Sequence, residues 1–113
     1  MKYTSEIVSN LLFIALEGDI LGESGGMDLV EIATKNIENG IKNGIVELSQ
    51  ARYMNSTGIG ILITLLTKFK NAGGTLVLVQ PSSQLIKLLA ITKLDSVFTI
   101  VTNKQEAIDL LSK

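Results

Sequence analysis

The chain has no cysteine and no histidine in its 113 residues. Disulfides, thiolate nucleophiles, imidazole bases and the usual zinc or transition-metal ligands are therefore excluded. Runs of like charge are also lacking. Ten Lys and Arg stand against eleven Asp and Glu, for a net charge of −1, so no electrostatic pull towards nucleic acid or an anionic membrane is expected. Long apolar runs are missing too: near the N-terminus the longest unbroken one is Leu11 to Leu16, well below the ~20 residues of a membrane span. Glu6 lies close upstream and no basic segment precedes it, which argues against a secretion signal. The expectation is a cytoplasmic protein with one domain over residues 1–113, without nucleic acid, membrane insertion, metal or cofactor. A domain of this length buries roughly two thirds of its unfolded surface in a single core. No linker, internal repeat or low-complexity tract divides it.

What is present alternates between strand and helix patterns. Tyr3, Ser5 and Ile7 alternate with Thr4, Glu6 and Val8, and the apolar run Leu11 to Leu16 follows after Ser9-Asn10. Two residues between strand patterns predict a tight antiparallel hairpin, and Gly18 is expected to end its second strand. Gly22, Gly25 and Gly26 then suggest a loop, with Ser24 and Asp28 offered as helix caps. Asp28 with Glu31 resembles a capping box, and Leu29/Val30, Ala33, Ile37 and Ile41 recur at helical spacing up to a stop at Asn39-Gly40. A third strand covers Ile45 to Leu48. The next helix has a core stripe of Ile59, Leu62, Ile63, Leu66 and Phe69, widened by Ile61 and Leu65, with Lys68 and Lys70 in its last turn before Gly73-Gly74. Leu76-Val77-Leu78-Val79 does not alternate and so reads as a central parallel strand covered on both faces. Pro81-Ser82-Ser83 opens a helix expected to turn Leu85, Ile86, Leu88, Leu89 and Ile91 inward. Val97 to Val101 is a last strand, and Asn103 with Glu106 caps a helix carrying Ala107, Ile108, Leu110 and Leu111. The fold class is α/β, a mixed and mainly parallel sheet with an N-terminal hairpin and about four helices packed on it.

The stretch Met54-Asn55-Ser56-Thr57-Gly58-Ile59-Gly60 joins the third strand to the long helix. Unpaired backbone N–H groups and the positive end of the helix dipole meet hydroxyls there, which suits an anion such as phosphate. The plainer alternative is that Asn55, Ser56 or Thr57 caps the helix, while Gly58 and Gly60 relieve crowding.

Tyr53 to Leu62 resembles the signature of STAS domains, the anti-sigma factor antagonists, which typically reads Asp-Ser-Ser/Thr-Gly-Leu/Ile-Gly. Gly73-Gly74 with Thr75 to Val79 is similar to the family's Gly-Gly turn and central strand. Leu88-Leu89 through Thr92, Leu94 and Val97-Phe98 to Glu106-Ala107 is similar to its tail. The resemblance implies a STAS fold and a binding protein rather than an enzyme. It implies that Ser56, less so Thr57, accepts phosphate from an anti-sigma factor that is also a serine kinase. The unphosphorylated protein would bind that partner and free a sigma factor, and a serine phosphatase would restore the binding form. The partner-binding residues carried over are Met54, Asn55, Ser56, Thr57, Gly58 and Gly60. Two positions depart from the pattern: Asn55 replaces the usual Asp beside the acceptor, and Leu21 falls where another Asp is often found, with Gly25-Gly26 lengthening the following loop.

Two other readings compete. A nucleotide-binding enzyme is disfavoured, because Ile63 replaces the third glycine of a dinucleotide fingerprint and no Gly-Lys-Ser/Thr loop exists. With no nucleophile–base arrangement around Ser56, catalysis has no evident machinery. A STAS module that docks onto a transporter ATPase or a signalling assembly without phosphorylation fits Asn55 and Leu21 slightly better than the switch does. The wide apolar face of the long helix leaves a homodimer open as well.

Overall fold

A computed structural model describes residues 2–21 and 24–112. Strand β1 (Lys2–Val8) and strand β2 (Leu11–Ile20) form the predicted hairpin, in register from Val8 opposite Leu11 to Lys2 opposite Glu17. Ser9 and Asn10 turn the chain with φ of 51° and 65°, the left-handed pair whose twist matches that of the flanking strands.

Among the described residues the remaining elements are α1 (Ser24–Glu38), β3 (Asn43–Met54), α2 (Ser56–Asn71), β4 (Leu76–Val79), α3 (Ser83–Ile91), β5 (Thr99–Val101) and α4 (Lys104–Leu111). The strands lie in the order β1-β2-β3-β4-β5, and every pairing after the hairpin is parallel. Alternation along β2 divides the core. Leu12, Ile14 and Leu16 face a large cluster closed by Leu29 and Ala33 of α1, Leu62, Leu65 and Phe69 of α2, and Leu85 and Leu89 of α3. Leu11 and Phe13 face a smaller cluster, closed by Ala107 of α4. The four residues of β4 are all fully buried, with Leu76 and Leu78 in the first cluster and Val77 and Val79 in the second. Each such side chain contributes about 2 kcal/mol on transfer from water, which explains why the central strand reads so clearly.

Several expectations need correction. Gly18 does not end β2: it takes a φ of 78° inside the strand, at a register shift against β3, and pairing continues to Ile20. Helix α1 begins at Ser24, so Asp28 lies inside the helix and cannot cap it, and Gly25 and Gly26 belong to its first turn rather than to a loop. The cap offered by Ser24 rests on a side chain outside those described, and Gly22 lies outside the described residues. Strand β3 runs on to Met54 instead of stopping at Leu48, because its partner β2 also continues. Strand β5 is shorter than predicted, beginning at Thr99, although Phe98 is buried just before it. Ile63, Ile86 and Ile91 face outward, with Ile91 79% exposed, and Leu110 is 43% exposed. Leu65 is fully buried, and so takes the core role assigned to Ile63. The predicted stops hold: α1 ends at Glu38 before Asn39-Gly40, and α2 ends at Asn71.

The end of α2 is fixed by glycine chemistry. Gly73 adopts a φ of 92°, and the Gly74 N–H donates to the Phe69 carbonyl at 2.9 Å, closing the last turn in the way C-terminal glycines do. Gly74 packs directly on the Lys42 carbonyl, and the Thr75 N–H donates to Asn43 Oδ1 at 2.9 Å. The base of α2 is thereby clipped to the start of β3.

Candidate functional site

Strand β3 makes its last pair with β4 at Glu47 opposite Val79, then continues beside β2 alone up to Met54 opposite Ile20. This β2–β3 extension projects past the rest of the sheet and carries the N-terminus of α2 at its tip. Along it Leu48, Ala51 and Met54 are buried, whereas Ser49, Gln50, Arg52 and Tyr53 are exposed.

Asn55 decides how the turn is made. Its backbone is extended, with φ −91° and ψ −179°, and its Oδ1 accepts from the Gly58 N–H at 2.8 Å, the bond that defines an N-cap. The Asn55 Nδ2 donates to the Leu21 carbonyl at 3.1 Å, and the Asn55 N–H donates to the Ile20 carbonyl at 3.3 Å. The Asn55 carbonyl accepts from the Ile59 N–H at 3.0 Å. One residue thus ties the end of β2 to the first turn of α2 through both its backbone and its side chain. The amide serves both, because Gly58 offers a donor and Leu21 an acceptor. An aspartate would satisfy the first and oppose the second.

With the cap supplied by Asn55, the residues that follow are released. Ser56 and Thr57 are the first helical residues and both are exposed. Among the described residues neither hydroxyl has a hydrogen-bond partner. Their backbone N–H groups belong to the unpaired set at a helix N-terminus. No acidic residue occupies this first turn, so its positive end is not offset from within the helix.

The two glycines differ. Gly58 is buried, and a Cβ there would meet the Ile20 carbonyl oxygen and would lie 2.8 Å from Met54 Cγ; the close approach it permits is internal, between α2 and β2. A Cβ at Gly60 meets nothing within 4 Å, so this glycine faces open space. Met54 is 2% exposed and fills the strand-to-helix corner, whereas Tyr53 is 55% exposed beside it. Of the residues singled out from the sequence, the structure puts Tyr53, Ser56, Thr57 and Gly60 on the surface together, and Met54 and Gly58 beneath them as support. Leu21 contributes its carbonyl to the Asn55 lock while its side chain is 37% exposed.

Two grooves flank this tip. One, about 470 Å³, runs between α1 and α2 and is lined by Gly26, Met27, Val30, Thr57, Gly60 and Ile61, with Met27 75% exposed. The other, about 340 Å³, lies between the β3 extension and α3, with Tyr53, Leu88 and Ile91 as its apolar wall and Arg52 and Lys87 at its rim. Arg52 reaches Asp19 at 3.6 Å, both side chains being well exposed. Sequence reasoning missed Met27 and Ile91 as surface residues. Ile91 was readable in principle: it stands two positions beyond Leu89, about 200° round the helix from the buried Leu85–Leu89 stripe. Met27 gave no such signal, since the glycines before it hid the helix start.

Among the described residues no cluster of metal-ligating side chains occurs, and no helix is long and apolar enough to cross a membrane.

Comparison with known proteins bears on the fold and the family. The chain aligns with a putative anti-sigma factor antagonist from Thermotoga maritima at a TM-score of 0.87 and 18% identity, over 98% of this chain and 95% of the other. It aligns with the anti-sigma factor antagonist SpoIIAA in its unphosphorylated form at a TM-score of 0.84 and 19% identity, over 98% and 96%. The phosphorylated form of SpoIIAA, a Bacillus cell fate determinant, aligns at 0.75 and 20% identity, over 96% and 97%. These likenesses establish the fold; the family follows from the sequence model of the STAS domain, which matches residues 3–107. With that match over nearly its whole length, the chain belongs to the STAS domain family.

Proposed function

We propose that this protein is an anti-sigma factor antagonist acting in the cytoplasm, without enzymatic activity of its own. It binds an anti-sigma factor that is a serine kinase, so that a sigma factor is set free. Phosphorylation of Ser56 by that kinase ends the binding, and a serine phosphatase restores it. The observation that carries this reading is the division of labour at the tip of α2. Asn55 caps the helix and anchors it to β2, leaving the Ser56 hydroxyl exposed and without a structural task. A phosphate there adds about −1.5 to −2 charge, which the N-terminus of α2 tolerates and a fitted partner surface does not. Tyr53 and Thr57, with the half-buried Gly60, surround Ser56, and Met27 and Ile91 lie in the grooves on either side.

The test is incubation with the cognate kinase and ATP, with peptide mapping by mass spectrometry, alongside pull-down with wild type and Ser56→Asp. Phosphate on Ser56 and loss of the kinase from the aspartate variant are expected. Unmodified Ser56 after incubation with active kinase overturns the switch.

One observation favours a second reading, a docking module for a transporter ATPase or signalling assembly that is not phosphorylated. The residue beside Ser56 is committed through its amide to the Leu21 carbonyl and offers no carboxylate to a kinase. In that case wild type and Ser56→Asp retain the same partner.

A further inference from the structure

The two edges of the sheet are unequal. Edge strand β5 has three residues, Thr99–Val101, whereas edge strand β1 has seven, Lys2–Val8, without proline or bulge, and pairs in the sheet with β2 only, its Glu6 also reaching Lys104 of α4 at 3.6 Å. A long, regular edge is a template for another strand, and charged side chains along it decide which strand is accepted. Because the Ser9-Asn10 turn has two residues, Val8 and Leu11 form a hydrogen-bonded pair, and such pairs alternate along the hairpin. Lys2, Thr4, Glu6 and Val8 therefore spend their backbone groups on β2, while those of Tyr3, Ser5 and Ile7 point outward.

The side chains say what fits that edge. Lys2 and Glu6 are the only charged residues on β1; they project from the same face, opposite Glu17 and Phe13, and stand symmetrically about Thr4. When two copies pair antiparallel on a two-fold axis at Thr4, Lys2 faces the partner copy's Glu6, and Glu6 the partner copy's Lys2. Like charges are kept far apart. Tyr3 then faces Ser5 of the other copy, and these two pairs exchange four backbone hydrogen bonds across the axis. We infer that β1 is a self-pairing edge, joining two copies of this chain into one continuous sheet through Tyr3, Thr4 and Ser5, with Lys2 and Glu6 setting the register. This surface is separate from the tip of α2, so a dimer formed in this way leaves both Ser56 hydroxyls accessible. Glu6 is also 3.6 Å from Lys104 of its own chain, but with its side chain 60% exposed it has free oxygen surface for a second cation.

Sedimentation velocity across a concentration series, up to millimolar, tests the inference. A concentration-dependent dimer is expected for the wild type. Ser5→Pro removes only an outward N–H, leaves the β1–β2 ladder intact and is expected to be monomeric with an unchanged circular dichroism spectrum. Lys2→Glu is expected to weaken the dimer at least tenfold, and Lys2→Glu with Glu6→Lys to recover it. The absence of native cysteine supplies a second readout. In a non-hydrogen-bonded pair the Cα atoms lie about 4.5 Å apart, within disulfide range, so Thr4→Cys on the axis is expected to cross-link on mild oxidation and Thr99→Cys on the opposite edge is not. A wild type that stays monomeric at millimolar concentration, or a dimer that survives Ser5→Pro, overturns the inference; the second result would place the contact on another face.

Discussion

Helices α2 and α4 begin with the same device and use it differently. In each an asparagine is the N-cap, with Oδ1 accepting from the N–H three residues on at 2.8 Å, Gly58 for Asn55 and Glu106 for Asn103. At α4 the support is local: Glu106 reaches back to the hydroxyl of Thr102 at 2.7 Å. The first helical residue, Lys104, is held by Glu6 at 3.6 Å and lies 4.0 Å from the centre of the Phe13 ring. At α2 the support is distant in sequence, since Asn55 also binds Ile20 and Leu21, and the first helical residue, Ser56, is held by nothing among the described residues. The same cap thus closes a structural joint in one helix and, among the described residues, leaves an exposed hydroxyl without a partner in the other.

The largest effect expected on this comparison comes from Gly58, whose counterpart in α4 is Glu106. Gly58→Ala forces a methyl into the Ile20 carbonyl and Met54 and is expected to cost about 2 to 3 kcal/mol, as over-packing does. Gly60→Ala, in open space, is expected to stabilise by about 0.5 to 1 kcal/mol through helix propensity. Opposite shifts of the urea midpoint check the pair. Next come the caps themselves. Asn55→Ala is expected to cost about 2 kcal/mol and Asn103→Ala about 1 kcal/mol, the excess at Asn55 reflecting the lost bond to Leu21; equal losses would show that this bond adds nothing. Asn55→Asp isolates that bond by keeping the cap while turning its donor into a charged acceptor. A loss of about 1 kcal/mol is expected after the helix dipole returns part of the cost, with faster amide exchange at Gly58 as the local signature. The smallest effects concern the first helical residues. Lys104→Ala is expected to cost about 0.5 to 1 kcal/mol through its ring and ion-pair contacts, and Ser56→Ala to stay within about 0.5 kcal/mol of wild type. A large loss for Ser56→Ala would mean that its hydroxyl has a structural task.

Legibility in the sequence followed the range of the forces involved. Asn103 with Glu106, Ser9-Asn10 and Gly73-Gly74 act on neighbours a few residues away, and all three were readable as written. Leu76 to Val79 was readable because burial on both faces leaves no polar residue in the strand. The second half of β3 was not. Its stability comes from pairing with β2 beyond Gly18, and the polar residues Ser49, Gln50 and Arg52 conceal a strand whose inward positions are only Leu48, Ala51 and Met54. Gly18 misled for the same reason, since its positive φ marks a bulge that a neighbouring strand carries through. At the candidate site, the motif placed the strand-to-helix turn but could not choose the cap among Asn55, Ser56 and Thr57. The choice rests on Leu21, whose carbonyl lies 34 positions away from Asn55 in sequence and enters no local pattern.

The clip at the far end of α2 has a consequence for its exposed tip. Gly74 seated on Lys42, with Asn43 bound to Thr75, fixes one end of the helix as firmly as Asn55 fixes the other, and Phe69 and Leu65 bury its length. A post anchored top and bottom is a poor lever. Anchored in this way, the tip presents Ser56 and Thr57 in a fixed position relative to the sheet, on a rigid mount and not a hinge.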